Sequence, residues 1–156
     1  MPITHIQGNL ITSDCNVIAH GCNCFCVMGG GIAAAIVAEY PGVYELDSRT
    51  VRGDAVKLGT YGLYKHTDDQ GLWVRSVFNL YTQYRYGAGQ DVHLDYGALR
   101  WALEAMKGAL DNFDPRQQCK VGFPRIGCGL AGGDWNRVEE ILEYVFWDRN
   151  IYVYTL

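Results

Sequence analysis

Three side chains of this sequence are placed for chemistry on a sugar or a phosphate: His20, Asn23 and Asp134, each beside a glycine-rich segment. Histidine titrates near neutrality, so His20 can transfer a proton or contact a phosphate oxygen. Its plain alternative is a core histidine hydrogen-bonded to backbone. Asn23 carries both a donor and an acceptor, which suits sugar hydroxyls; otherwise it is a loop residue bonding its own backbone. Asp134 can orient water or act as a base toward a terminal phosphate, and it is equally well placed to cap a helix. Tyr81, Tyr84 and Tyr86 could flank a sugar or stack on a base, although aromatic residues this frequent are usually packing.

The segments beside those residues are 19–34 and 123–135. Each follows an apolar strand pattern and precedes a helix pattern, and open α/β sheets bind ligands at the carboxyl ends of their strands. Glycine there lets backbone N–H groups approach an anion, and a helix N-terminus adds a favourable dipole. Two such loops can grip a diphosphate from both sides. Better-known phosphate signatures do not fit. There is no G-x-x-x-x-G-K-[ST] motif. Gly127, Gly129 and Gly132 fall loosely at dinucleotide spacing, but near the chain's end rather than at its first βα turn. Cys128 lacks the Cys-x5-Arg loop of cysteine phosphatases and reads as a small loop residue. Cys22, Cys24 and Cys26 stand at i, i+2 and i+4, not at zinc-knuckle spacing. Cys15, Cys119 and Cys128 make no second pair, so the six cysteines read as small, mostly buried thiols.

The elements that must position these loops alternate along the chain. Strands are expected at residues 3–7, 17–22, 61–65, 72–80, 121–123 and 151–154, with a hairpin turn at 68–71. Helices are expected at 32–40, stopped by Pro41-Gly42, and then from Val43 in a short second one. A third spans 94–110, where Leu99, Leu103, Met106 and Leu110 recur at helical spacing, and a fourth runs from a Gly133 or Asp134 cap to about Trp147. Residues 84–90 form an aromatic, glycine-containing loop. The pattern predicts an α/β fold with a mainly parallel sheet and helices on both faces.

With 156 residues, 49% of them apolar and only 19% charged, the chain is expected to form one domain over residues 1–156. No apolar run approaches the roughly 20 residues that span a bilayer, and the first residues lack a secretory pattern. A cytoplasmic monomer with no membrane partner is expected. The net charge of −4, with scattered basic residues, argues against a duplex nucleic-acid binder. Backbone N–H groups can still hold an anionic small molecule.

Along nearly the whole chain the sequence resembles the macro domain family. Gly8-Asn9-Leu10-Ile11 resembles the family's first-loop motif, usually Gly-Asp-Ile. Asn23 and Gly29-Gly30-Gly31-Ile32-Ala33 resemble the loop that holds the distal ribose and diphosphate of ADP-ribose. Pro124-Arg125-Ile126-Gly127-Cys128-Gly129-Leu130 resembles the second phosphate loop, and residues 152–156 resemble the terminal strand. The resemblance implies a three-layer α/β/α domain with a mixed, mostly parallel sheet. It implies ligand contacts from Gly8, Asn9, Leu10, Asn23, Met28, Gly29, Gly30, Gly31, Ile32, Pro124, Ile126, Gly127, Cys128, Gly129 and Leu130. Asn9 replaces an aspartate that accepts a hydrogen bond from the adenine amino group, and its amide oxygen accepts without charge assistance.

Two branches are similar. Residues 20–24 followed by 29–33 resemble the yeast-type ADP-ribose 1″-phosphate phosphatase, in which the histidine is implicated in catalysis. Residues 124–130 and the last strand resemble the terminal ADP-ribose–protein glycohydrolases, which work through a lysine and an aspartate; Gln83 and Ala131 stand at those positions here. The resemblance therefore implies a phosphatase with His20 and Asp134 as catalytic residues, acting on ADP-ribose 1″-phosphate without metal or other cofactor. Release of ADP-ribose from a modified protein or nucleic acid, and ADP-ribose binding without catalysis, are the alternatives.

Overall fold

The run Val-Ile-Ala-His-Gly-Cys offers no polar face, and the structure buries it inside a six-stranded sheet. The computed structural model describes residues 3–87, 92–129 and 131–156. Leu130 and the expected loop positions Ala88, Gly89 and Gln90 lie outside the described residues. The strands are β1 (Ile3–Gln7), β2 (Val17–Cys22), β3 (Tyr61–Thr67), β4 (Trp73–Tyr81), β5 (Val121–Phe123) and β6 (Ile151–Thr155). They line up in the order β1-β6-β5-β2-β4-β3. All neighbours pair in parallel except β3 and β4, which form the hairpin. Asp68 closes its tip by accepting from the Gln70 and Leu72 N–H groups at 2.9 and 3.0 Å.

Helices α1 (Gly31–Glu39) and α2 (Pro41–Ser48) cover one face of the sheet, and α3 (Tyr96–Phe113) and α4 (Trp135–Val145) cover the other. Period-two alternation along the inner strands sorts their side chains between two cores. Val17, Ala19, Phe78 and Leu80 point toward α3 and α4, and Ile18, Cys22, Val77 and Tyr81 toward α1 and α2. The apolar stripe of α3 (Leu99, Leu103, Met106, Leu110) is fully buried, each side chain stabilising the fold by roughly 1.5–3 kcal/mol.

The helix boundaries differ from the pattern where capping decides them. Pro41 does not merely stop a helix: Tyr40 caps the end of α1 and the start of α2, with Pro41 in the first turn. Proline is tolerated there because its missing N–H would have no partner. α3 starts at Tyr96 because Asp95 caps it, accepting from the Ala98 N–H at 3.0 Å. α4 ends at Val145. Among the described residues, no helix is long and apolar enough to cross a membrane.

Candidate functional site

The neighbouring strands β2 and β5 send the chain to opposite faces, β2 into α1 and β5 into α4. Where two adjacent parallel strands diverge in this way, their C-terminal ends leave a crevice. A cleft of about 620 Å³ opens there, walled by the loop after β2, the loop after β5, and Gln83, Tyr86 and Gly87 beyond β4.

The first wall is built to receive an anion. α1 begins at Gly31, with Gly30 as N-cap and no side chain bonded to its first-turn N–H groups. Those groups have no partner within the helix and carry the positive end of its dipole. A Cβ placed on Gly29 or Gly31 would meet nothing, and Gly31 has φ +56°, so a ligand can come to the backbone here. The second wall is tied by its own backbone hydrogen bonds. Its loop is closed by bonds from the Ile126 N–H to the Pro124 carbonyl (2.8 Å) and from the Gly133 N–H to the Gly127 carbonyl (2.7 Å). Glycine is required at both ends of the second bond. Gly127 has φ +71°, and a Cβ on Gly133 would lie 2.7 Å from the Gly127 oxygen. Gly129 faces open space.

Asn23, Met28, Gly29, Gly30, Gly31, Ile32, Pro124, Ile126, Gly127, Cys128 and Gly129 all line the cleft. The amide of Asn23 is largely committed to its own loop. Its Nδ2 donates to the Val27 carbonyl at 2.8 Å, and its Oδ1 accepts from the Phe25 N–H at 2.9 Å. One N–H of the amide remains for a ligand.

His20 and Asp134 are not in the wall. β2 turns His20 toward α2, fully buried behind the cleft, where its Nε2–H donates to Asn79 Oδ1 at 2.7 Å. Asn79 in turn donates to the Val43 carbonyl at 3.4 Å, which fixes its amide orientation. Burial lowers the His20 pKa to about 4, against the opposing effect of the Asn79 hydrogen bond. Burial therefore keeps the His20 imidazole neutral at pH 7. Asp134 is exposed, and its Oδ1 accepts from the Asn136 N–H at 3.0 Å, capping α4.

Gly8, Asn9 and Leu10 also lie outside the wall. Asn9 spends its side-chain oxygen on the Ile11 N–H at 2.9 Å. Leu10 is buried in the α1/α2 core over Gly122, where a Cβ would come within 2.7 Å of its Cδ1. Of the three tyrosines, Tyr86 reaches the cleft. Tyr81 is buried and donates to Asp47 Oδ1 (2.6 Å), and Tyr84 donates to the Gly53 carbonyl (2.8 Å).

Gln83 and Ala131, which the resemblance sets at the glycohydrolase lysine and aspartate positions, both line the cleft, and so do Gly21, Cys22, Val27, Arg125 and Trp135, for which the sequence implies no ligand contact. Most lie inside the two loops, so the signal was their neighbourhood. Gln83 comes from a third strand end, just beyond β4, which the strand order sets beside β2. Cys22 Sγ lies 3.7 Å from His20 Nε2, yet this is no cysteine–histidine nucleophile. The single Nε2 proton already points at Asn79, and burial, with Asp47 nearby, holds the Cys22 thiol well above its usual pKa. Burial likewise raises that of Cys128.

A family model for the Macro domain matches residues 19–142. The chain belongs to the macro domain family. This macro domain is 34% identical over 149 residues to an uncharacterized 17.5 kDa protein from the tk-vs intergenic region of Enterobacteria phage T4, spanning 92% of this chain and 89% of that protein. It is 31% identical to human ADP-ribose glycohydrolase OARD1, over 99% of this chain and 91% of that one. It is 28% identical to the ADP-ribose 1″-phosphate phosphatase of Lodderomyces elongisporus, over 98% and 99%. In three dimensions the macro domain superposes on the macrodomain of Mycobacterium tuberculosis DarG with a TM-score of 0.76 at 22% identity, covering 99% and 97% of the two chains. The three-layer arrangement is thus the family's fold.

Proposed function

We propose that the cleft binds ADP-ribose, with the diphosphate between the two glycine loops and the distal ribose toward Asn23 and Gln83. The observation that carries this reading is the uncapped N-terminus of α1, opening through Gly29 and Gly31 onto a second glycine loop across the cleft. Relatives named for hydrolysis of ADP-ribose derivatives support it.

The reaction assigned to this site is hydrolysis of ADP-ribose 1″-phosphate to ADP-ribose and phosphate. Among the described residues, the wall holds no lysine, histidine or carboxylate, and its two thiols are kept protonated. Apart from the Tyr86 hydroxyl, the described wall offers no side-chain nucleophile for a covalent intermediate. Water attacks phosphorus directly, the bond from phosphorus to the 1″ oxygen breaks, and the water's proton passes to that leaving oxygen. Backbone N–H groups hold the phosphoryl oxygens, and the Asn23 and Gln83 amides orient the water, so that positioning and electrostatics supply the rate. His20 acts from behind, as the residue that fixes the end of β2. Asp134 shapes the neighbouring wall by capping α4.

A second reading is release of ADP-ribose from a modified protein or nucleic acid. The half-exposed Tyr86 at the β4 end of the cleft favours it, because a macromolecule joined to the distal ribose has an exit there. Calorimetry with ADP-ribose, followed by assays of phosphate release from the 1″-phosphate and of ADP-ribose release from a modified protein and a modified oligonucleotide, separates these readings. Binding with stoichiometric phosphate release supports the phosphatase. Binding with release only from a macromolecule replaces it by the second reading, and binding with neither leaves a reader. Absence of binding overturns the whole assignment.

A further inference from the structure

The loop after β2 also carries a thiol that faces away from the cleft wall. Cys26 is half-buried and has φ +58°, a left-handed backbone that costs any residue with a Cβ and is held only by surrounding contacts. Its Sγ lies against the end of α2, 3.4 Å from both the Asp47 carbonyl oxygen and Thr50 Oγ1, and 3.8 Å from Lys57 Nζ. Lys57, in the single-turn helix Ala55–Lys57, is only 9% exposed. Its ammonium donates to Thr50 Oγ1 at 2.8 Å and stands 5.4 Å from the centre of the Tyr81 ring. Among the described residues it forms no ion pair with a carboxylate. The Asp47 carboxylate of the same cluster is taken up by the Tyr81 hydroxyl. A buried cation is costly without a counter-ion, and the sulfur it touches can become one. The other five cysteines lack this setting. Cys15 is 1% exposed, and burial holds the thiols of Cys22, Cys24, Cys119 and Cys128 above their usual pKa.

We propose that Cys26 is an oxidation site activated by Lys57, and that its oxidation by a peroxide weakens the cleft's hold on its ligand. Anionic sulfur attacks one peroxide oxygen, and a neighbouring ammonium favours that form. The S–O bond forms as the O–O bond breaks. Lys57 passes a proton to the leaving oxygen and recovers the one the thiol gave up, so thiol and hydrogen peroxide yield sulfenic acid and water. Sulfur loses two electrons and the peroxide gains them. The new oxygen enters a shell where Sγ already touches Asp47 and Thr50, so the loop backbone must give. Cys26 stands between Phe25 and Val27, whose N–H and carbonyl groups Asn23 holds at 2.9 and 2.8 Å. Movement there reaches Asn23, Val27 and Met28 in the cleft wall. The effect on the ligand rests on the ADP-ribose reading; the oxidation does not.

The test begins with brief exposure to hydrogen peroxide at pH 7, removal of the excess by catalase, unfolding in dimedone and mapping of the adduct by peptide mass spectrometry. Cys26 is expected to label ahead of the other five cysteines, and Lys57→Met to slow its labelling by about tenfold. In calorimetry, peroxide-treated wild type should bind ADP-ribose about fivefold or more weakly than untreated protein, and a thiol reductant should restore the affinity. Cys26→Ser should bind alike before and after treatment, and thermal melting checks that each variant is folded. Labelling spread evenly over the cysteines, or absent from Cys26, overturns the site, and this comparison within the wild type needs no Lys57 variant. A folded Lys57→Met protein labelled as fast as the wild type removes Lys57 from the proposal. Unchanged ADP-ribose affinity in protein fully oxidised at Cys26 overturns the coupling to the cleft. Untreated protein that fails to bind ADP-ribose defeats the ADP-ribose reading instead, while the mapping still decides the fate of Cys26.

Discussion

His20 owes its chemistry to the sheet that buries it. In the unfolded chain it titrates near 6.5; in the fold burial lowers this to about 4. Its folded pKa is depressed, so its contribution is fully present above pH 6.5 and is lost as pH falls toward 4. The loss amounts to about 3 kcal/mol across that window. Urea denaturation at pH 7, 5.5 and 4 should show this decline, and His20→Gln should flatten it; equal slopes in the two proteins would contradict the buried, neutral imidazole. Asp134 makes a separate prediction. Asparagine caps a helix as well as aspartate, so Asp134→Asn should keep the melting temperature and leave turnover within about threefold, while Asp134→Ala costs about 1 kcal/mol. Turnover abolished in a stable Asp134→Asn protein would restore the carboxylate to the chemistry.

At the scale of elements, the two walls respond differently to the same substitution. Gly31→Ala puts a methyl group at φ +56° into otherwise empty space on the ligand side. It should cost about 1 kcal/mol of stability through the left-handed backbone, while ADP-ribose affinity in a titration falls much further because the diphosphate loses its approach. Affinity unchanged in that variant would show that the ligand does not approach α1. Gly133→Ala acts on the fold instead. Its Cβ would stand 2.5 Å from Leu94 Cδ2 and 2.7 Å from the Gly127 oxygen, so the second loop must shift. A destabilisation of about 1–3 kcal/mol by chemical denaturation is expected.

Across the whole molecule, the connection from β1 to β2 depends on one buried cation. Arg75, in β4, donates to the carbonyls of Ile11, Ser13 and Cys15 at 2.7–2.8 Å and to the Tyr40 hydroxyl at 3.1 Å. These bonds bind a segment some sixty positions away in sequence to the sheet and to the end of α1. Arg75→Met keeps much of the packing but strands three carbonyls, at a cost of roughly 3 kcal/mol. A urea midpoint matching the wild type would show that water replaces the arginine without loss. Arg149 plays the same part for the end of α3, bonding Asp114 at 2.8 Å.

Much of this molecule is written in short stretches of sequence. The unbroken apolar run of β2, the four-residue stripe of α3 and the glycine loops that follow β2 and β5 each depend on neighbours within a few positions, where periodicity and backbone freedom act. The α/β/α layering and the two loops of the cleft were legible for that reason. Side-chain direction was not. Whether His20 faces the ligand or Asn79 is set by the parity of a strand against the strand beside it. Whether Asn9 is free or tied to Ile11 is set by how the first loop descends over Gly122. Gln83, Arg125 and Trp135 meet around one crevice because β4, β5 and the start of α4 end there. Sequence by itself determined the elements and the family; only the tertiary structure decided which polar groups reach the cleft, because burial and hydrogen-bond partners come from residues far apart in the chain.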